Sequence, residues 1–272
     1  MRTAKDKIDL ALQLLCESTS IRATSRLTKL HQKTVLKILK ISGTIAGQFM
    51  GEKAKNLKCD VVCADEIYSF VHTREYKIKE KCDHKGGQFT FLAVDRKSKF
   101  IINTLTGARS AENATKFLTD LKNRISGRFQ LNTDAWKGYT GSYGIMKKVF
   151  NYEVDHATEE KTYMKLNQFV TRDLAKVTRK RHIGIPNMEL ASTSFIERTN
   201  LSMRHFNRRF TRCTLAFSKK LSNHRLAIDL FIWNMNFARK HTTIKTTPAI
   251  AIGLNVAKMT MLDLWNTGIG NN

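Results

Sequence analysis

Three acids stand where a carboxylate needs a reason. In "CDVVCADEIYSFV" Asp65 and Glu66 interrupt a run that is apolar at both parities, the pattern of a strand covered on both faces. A carboxylate there is costly unless it is paired, protonated or bound to metal. Asp134 closes a second strand-like stretch, "RFQLNTD", and Glu197 is the lone acid of "STSFIERTNLSMRHFNRRFTR". Asp134 follows Asp65 by 69 residues, and Glu197 follows Asp134 by 63. Two strand carboxylates and one from a helix can hold two divalent cations about 3.5–4 Å apart, which activate a water or a 3′-hydroxyl on one side of a phosphodiester and stabilise the leaving oxygen on the other. Hard oxygen ligands beside phosphate favour Mg²⁺, with Mn²⁺ as a substitute. Side-chain alternation sends Glu66 to the other face from Asp65. Glu66 is therefore expected outside this site, paired with a base from a neighbouring helix.

The elements that must position these acids follow from periodicity. Ile8, Ala11, Leu12 and Leu15 mark a first helix, Ser20 caps a second through "IRATSRLT", and "KTVLKILKI" supplies a third with a basic face. Three short helices ending in a basic one suggest a helix-turn-helix over residues 1–47, with His31, Gln32, Lys33, Thr34 and Lys37 as readers of base edges. A packing or dimerisation bundle is the alternative. The usual turn glycine is missing, with Lys29 or Leu30 in its place. Residues 48–57 serve as a linker. From residue 58 to 246 the pattern becomes strand, hairpin around "DRKSK" with Asp95 capping its own turn, the helix "SAENATKFLTDLKNRI" capped by Ser110, and a fourth strand ending at Asp134. Residues 155–191 read as a basic insertion that contacts DNA, closes over the site or stays a solvated loop, and residues 247–272 as a C-terminal tail. The fold class is α/β (α+β), a ribonuclease H-like mixed sheet with flanking helices behind a small all-α domain.

If "SFIERTNLSMRHFNRRF" is helical, Arg204 and Arg208 share the face of Glu197, and Arg198, Ser202, His205 and Arg209 form an adjacent stripe along a phosphate track. A solvated basic helix is the plainer reading. Arg239, Lys240 and His241 are further phosphate-contact candidates. Trp136, just past Asp134, is either core or a platform on which a base stacks.

Composition agrees with a polyanionic partner. The chain has 272 residues, 47 Lys+Arg against 23 Asp+Glu, and a formal net charge of +24, a self-repulsion best tolerated beside nucleic acid. No apolar run reaches membrane-spanning length. Five irregularly spaced cysteines fit a reducing compartment, so a cytoplasmic, nucleoid-associated protein is expected. Cys59, Cys63, Cys82 and His84 are poor zinc ligands, because a strand holds the first two about 13 Å apart.

The blocks "CADEIYSFV", "FLAVDRKSKFI", "NTDAWKGY", "STSFIERTNLSMRHFNRRFTRCTLAFSKKLSNH" and "NFARKHTTIKTTPAIAIGL" resemble, in order, those of bacterial DDE transposases of the insertion-sequence-one type. The resemblance implies a triad of Asp65, Asp134 and Glu197 with two Mg²⁺ ions, and cutting and joining at the ends of a mobile element. It implies Arg198, Asn200 and Arg204 as support for site and DNA, and terminal inverted repeats and target DNA as partners, held by a homodimer or larger assembly. A non-catalytic DNA-binding protein, and a nuclease without joining activity, remain the alternatives.

Overall fold

The computed structural model describes residues 3–78, 84–140, 144–164, 173–211 and 215–269. Three helices, α1 (Lys5–Cys16), α2 (Ile21–Thr28) and α3 (Gln32–Lys53), precede β1 (Val61–Val71), β2 (Gly86–Asp95) and β3 (Ile101–Gly107). There follow α4 (Ala111–Arg124), β4 (Phe129–Thr133), two short helices α5 (Lys137–Thr140) and α6 (Ile145–Phe150), and β5 (Val154–Met164) with β6 (Asp173–Ile183). The chain ends in α7 (Ser194–Phe206), α8 (Leu221–Trp233) with a π-helical turn at Asn234–Ala238, α9 (Pro248–Ala251) and α10 (Met261–Ile269).

Val62, Cys63, Ala64 and Ile67 of β1 are all fully buried, as a run apolar on both parities demands. β1 pairs antiparallel with β2 and parallel with β4, β4 is parallel with β5, and β5 and β6 form an antiparallel ribbon. The six strands lie in the order β3-β2-β1-β4-β5-β6. This is a ribonuclease H-like mixed sheet with flanking helices. Asp95 does cap its hairpin turn, accepting from the Ser98 N–H at 2.7 Å and its hydroxyl at 2.6 Å.

The segment 155–191 differs from a loop-like insertion. Nearly all of β5 and the whole of β6 come from it, and β5 is an internal strand. Its letters, "VDHATEEKTYM", hide the strand because its buried acid is neutralised by a cross-strand arginine and a lysine two residues on rather than replaced by an apolar residue. Residues 165–172 of that segment lie outside the described residues.

At the amino end, Ser20 Oγ caps α2 by accepting from Ala23 N at 3.1 Å, and Lys29 takes the left-handed turn (φ 57°) in place of the missing glycine. His31 Nδ1 caps α3, accepting from Lys33 N at 3.2 Å. That helix does not stop at a boundary near residue 47. It runs 22 residues to Lys53, so most of the segment read as a linker is helix, burying Ala46, Phe49 and Met50 against α8 and its π-turn. Arg124 closes its end by donating to the carbonyls of Met50 and Ala54 at 3.2 and 3.3 Å. Gly43 lets α3 approach α8 so closely that a Cβ would overlap the Leu226 backbone carbonyl. The outer edge of β3 is closed by Asn236, whose side-chain amide accepts from Ile101 N and donates to Ile101 O, both at 2.9 Å. The tail packs too, with Met261, Leu264 and Trp265 of α10 joining the core. Among the described residues no helix is long and apolar enough to cross a membrane.

Two stability predictions follow from these contacts. Gly43→Val forces α3 and α8 apart and is expected to destabilise the chain by about 1–3 kcal/mol, read as a lower urea midpoint; an unchanged midpoint would contradict the close approach. His224 is buried between Ser69 Oγ of β1 at 3.0 Å and Ser218 Oγ at 3.1 Å. Burial, with Arg209 and Arg225 adding, lowers its pKa to about 3. Between its unfolded value near 6.5 and that folded value, only the unfolded chain takes up the proton. The stability it contributes is therefore complete above pH 6.5 and is lost as pH falls. The stability difference between wild type and His224→Gln should shrink by about 1.4 kcal/mol per pH unit through that window, and a difference constant from pH 7 to pH 4 would contradict it.

Candidate active site

The acid cluster exists because β4 ends early. β1 and β4 pair only from Val61–Gln130 to Cys63–Asn132, and β4 stops at Thr133. Beyond Cys63, β1 therefore has an open edge on the β4 side, and Asp134 steps off its strand into that gap. Asp65, Glu66 and Asp134 each place a carboxylate oxygen there, all within 4.8 Å of one another. Alternation had assigned Asp65 and Glu66 to separate sites. It fixes Cβ directions only, and around an unpaired strand edge two neighbouring side chains can bend toward the same space.

Each carboxylate is tied down. Asp65 Oδ1 accepts from the Glu66 N–H at 2.8 Å, and Oδ2 accepts from Asn200 Nδ2 of α7 at 2.7 Å. Asp134 Oδ1 accepts from Trp136 N at 3.0 Å, and Oδ2 from Arg109 at 3.3 Å. Glu66 accepts from Arg109 Nε at 3.0 Å and from the buried Tyr139 hydroxyl. The expected basic partner of Glu66 is thus Arg109, just before α4, and its guanidinium also lies 4.5 Å from the Trp136 ring centroid. Burial first, then the charge of Glu66, with Asp134 and Glu197 adding, pushes Asp65 up to about 7. Burial likewise raises Glu66 against the pull of Tyr139 and Arg109. Full ionisation of such a cluster calls for more positive charge than Arg109 supplies.

Glu197 reaches the same cavity from α7. The cavity has a volume of about 390 Å³ and is lined by Asp65, Asp134, Glu159, Glu160, Lys161 and Glu197, with Trp136 and Tyr163 as aromatic walls. Glu197 stands outside the tight cluster of three, with Oε1 held by Lys161 Nζ at 2.5 Å and Thr193 Oγ1 at 2.9 Å. Both holders trace back to β5. Glu159, 4% exposed, accepts from Thr193 N at 2.9 Å and Arg179 of β6 at 3.1 Å, and lies 3.0 Å from Thr193 Oγ1, whose one hydrogen it shares with Glu197. Burial pushes its pKa up, but those donors and Lys161 outweigh burial and hold the carboxyl below its usual range. Glu159 therefore fixes the start of α7, from which Glu197 projects. Neither Glu159 nor Lys161 was readable as a site residue, since their strand was not recognised.

The donor set fits hard divalent cations. Asp65, Asp134 and Glu197 present carboxylate oxygens to one cavity, and Glu66 adds a fourth acid close to Asp65 and Asp134. Among the described residues, Asp65, Glu66 and Asp134 form the one grouping of potential ligands close enough to share an ion. Cys59 and Cys63 are buried free thiols whose pKa burial raises, and Cys82 lies outside the described residues.

The remaining candidates scatter. His31, Gln32, Lys33 and Lys37 are exposed along the first turns of α3, with Thr34 half-buried. Asn200 is buried on Asp65, inside the site rather than on a DNA-facing surface. α7 ends at Phe206, four residues short of the expected helix, because Asn207 turns the chain by accepting from Arg209 N. Arg204 is half-buried on α7 and Arg208 is exposed beyond it. Arg209 points inward, donating to Ser218 Oγ at 3.0 Å, and burial lowers its pKa to about 10. Trp136 is half-buried, packing on Phe91 and Tyr139 while lining the cavity. Arg198 and Lys240 are exposed; Arg239 and His241 are half-buried.

The sequence matches no protein-family profile and no curated protein. Among solved structures, it superposes on a chain of a simian T-cell lymphotropic virus intasome in complex with the PP2A regulatory subunit B56 gamma. The identity is 13% and the TM-score 0.42, covering 89% of this chain and 73% of that one. For a Mos1 strand transfer complex the figures are 12%, 0.25, 57% and 58%, so this chain spans under two thirds of that one. For a pre-cleavage Mos1 transpososome they are 7%, 0.28, 86% and 78%. Superpositions this partial decide nothing about chemistry, which rests on the side chains.

Glu159→Ala leaves Arg179 and the Thr193 N–H without their acceptor. It is expected to lower stability by about 3 kcal/mol, measured by urea unfolding. A loss below about 0.5 kcal/mol, the size of an ordinary surface change, would mean that α7 is anchored by something else.

Proposed function

We propose that this chain is a metal-dependent polynucleotidyl transferase, a DDE transposase of the insertion-sequence-one type that cuts and joins DNA at the ends of its own element. The reading is carried by one observation: Asp65 from inside β1, Asp134 from the end of β4 and Glu197 from α7 line a single cavity. The charge of +24 and the exposed cations of α3 and α7 supply what a DNA backbone requires.

In this reading Asp65, Asp134 and Glu197 hold two divalent cations, Mg²⁺ or Mn²⁺, which when bound supply an activated water or 3′-hydroxyl and neutralise charge at the phosphorus. Asn200 orients the Asp65 carboxylate, and Thr193 and Lys161 orient that of Glu197. Arg109 offsets the crowding of Glu66 against Asp134. Trp136 and Tyr163 give the reacting strand apolar walls. The first turns of α3, from His31 to Lys37, read base edges of the terminal repeats, and phosphate contacts from Arg198, Arg204 and Arg208 fix register. Two such chains hold two DNA ends together.

Duplexes carrying the DNA that flanks the coding region, incubated with Mg²⁺ or Mn²⁺, should yield 3′-hydroxyl ends and joined products. Asp65→Asn, Asp134→Asn and Glu197→Gln should each abolish both products, while Asn200→Ala should lose about 10–100-fold, the usual effect of removing a group that orients a metal ligand. Cleavage that persists in any of the three acid variants, or proceeds unchanged in EDTA, rules this assignment out.

A further inference from the structure

α7 has two functional faces. At about 100° per residue, Thr193, Glu197 and Asn200 fall on one side of the helix, and Ser194, Arg198 and Ser202 fall on the other. The second side forms one wall of a cleft of about 440 Å³, larger than the acid cavity. Its other walls come from Lys99, after the β2–β3 turn, and from Lys240, His241 and Thr243 beyond the π-turn. No carboxylate is among its described lining residues, whereas the acid cavity carries five.

The cations of this cleft are set to face one another. Lys99 Nζ lies 3.9 Å from the ring centroid of Phe195, and the Arg96 guanidinium stacks on the same ring at 4.8 Å. Lys99, Arg198 and His241 all line the cleft, and burial, then Lys99 and Arg198, lower the pKa of His241. Arg239 is already committed, at 2.7 Å from Glu17 just past α1 and stacked on Phe206. Lys99, Arg198 and Lys240 have no acid partner of that kind among the described ion pairs. A cleft of one sign with low-dielectric walls concentrates polyanions, and hydroxyls at Ser202 and Thr243 match phosphate oxygens.

We infer that this cleft is a second DNA-binding site, which grips the phosphate backbone of a duplex segment separate from the strand presented to Asp65, Asp134 and Glu197. α7 divides the two, its carboxylate face toward the reacting strand and its Arg198 face toward the held segment. The inference rests on the reading that the chain works on DNA, and it adds Lys99 and Thr243 to the residues that do so.

The test is the salt dependence of duplex DNA binding by the full chain. Each phosphate contact contributes about 0.9 to the slope of log K against log salt. Lys99→Gln/Arg198→Gln/Lys240→Gln should lower that slope by about 2–3, equally on any sequence. The exposed pair Arg198→Gln/Lys240→Gln, which leaves the Phe195 stack intact, should lower it by about 2. Lys147→Gln/Lys148→Gln on α6 should leave it unchanged. Wild-type binding that is steep in salt, with the same slope in both cleft variants, overturns the second site while leaving the proposed function standing. An equal fall in the α6 control overturns it as well, by reducing the effect to net charge. A wild type that does not bind duplex DNA overturns the functional reading itself.

Discussion

The site depends on a mismatch of strand lengths. β1 runs to Val71 while its parallel partner β4 ends at Thr133, and the sheet is left with an interior edge that β4 does not cover between Cys63 and the bridge of Val71 to Ser218. Into this gap the chain crowds Asp65, Glu66 and Asp134, with Glu197 facing them across the cavity. Like charges held this close in a partly buried place resist ionisation, which is why Asp65 rises to about 7. The fold tolerates the strain through Arg109, which donates to Glu66 and Asp134, and through Tyr139, Asn200 and Lys161, which donate to Glu66, Asp65 and Glu197 respectively. None of these donors neutralises all of them, and a divalent cation is the species whose charge and ligand preference match the remainder.

Glu197 reaches the cavity through a chain of contacts that begins far from it in sequence. Arg179 on β6 holds Glu159 on β5, Glu159 holds Thr193, and Thr193 and Lys161 hold Glu197. The β5–β6 ribbon is thereby the mount for α7, and not an appendage of the sheet. The same helix turns its other side to a cleft with no acid among its described lining residues. In the proposed function, the adjacent residues Glu197 and Arg198 would then meet opposite charges, cations on one face and phosphate on the other.

Much of this was legible in the residues. Asp65 could be found because β1 is apolar on both parities and an acid there has no ordinary reason, and Asp134 because it closes a strand. β5 could not, since Glu159 is buried by pairing with Arg179 of β6 and Lys161 of its own strand, and a hydrophobic pattern does not register an acid neutralised in this way. The end of α7 was misjudged because the side chain of Asn207, which turns the chain, has the same letter in a helix interior. The continuation of α3 was obscured by Gly43 and Gly47, which look like breaks but serve the approach of α8. Glu66 was assigned elsewhere by a rule of alternation that holds for paired strands and weakens at an open edge.

The convergence of the three acids on shared cations is open to direct observation by anomalous diffraction from crystals of the chain soaked in Mn²⁺. Manganese peaks ligated by Asp65, Asp134 and Glu197 are the predicted result. Manganese density confined to other surface acids, with this cavity holding none at saturating concentration, would contradict it.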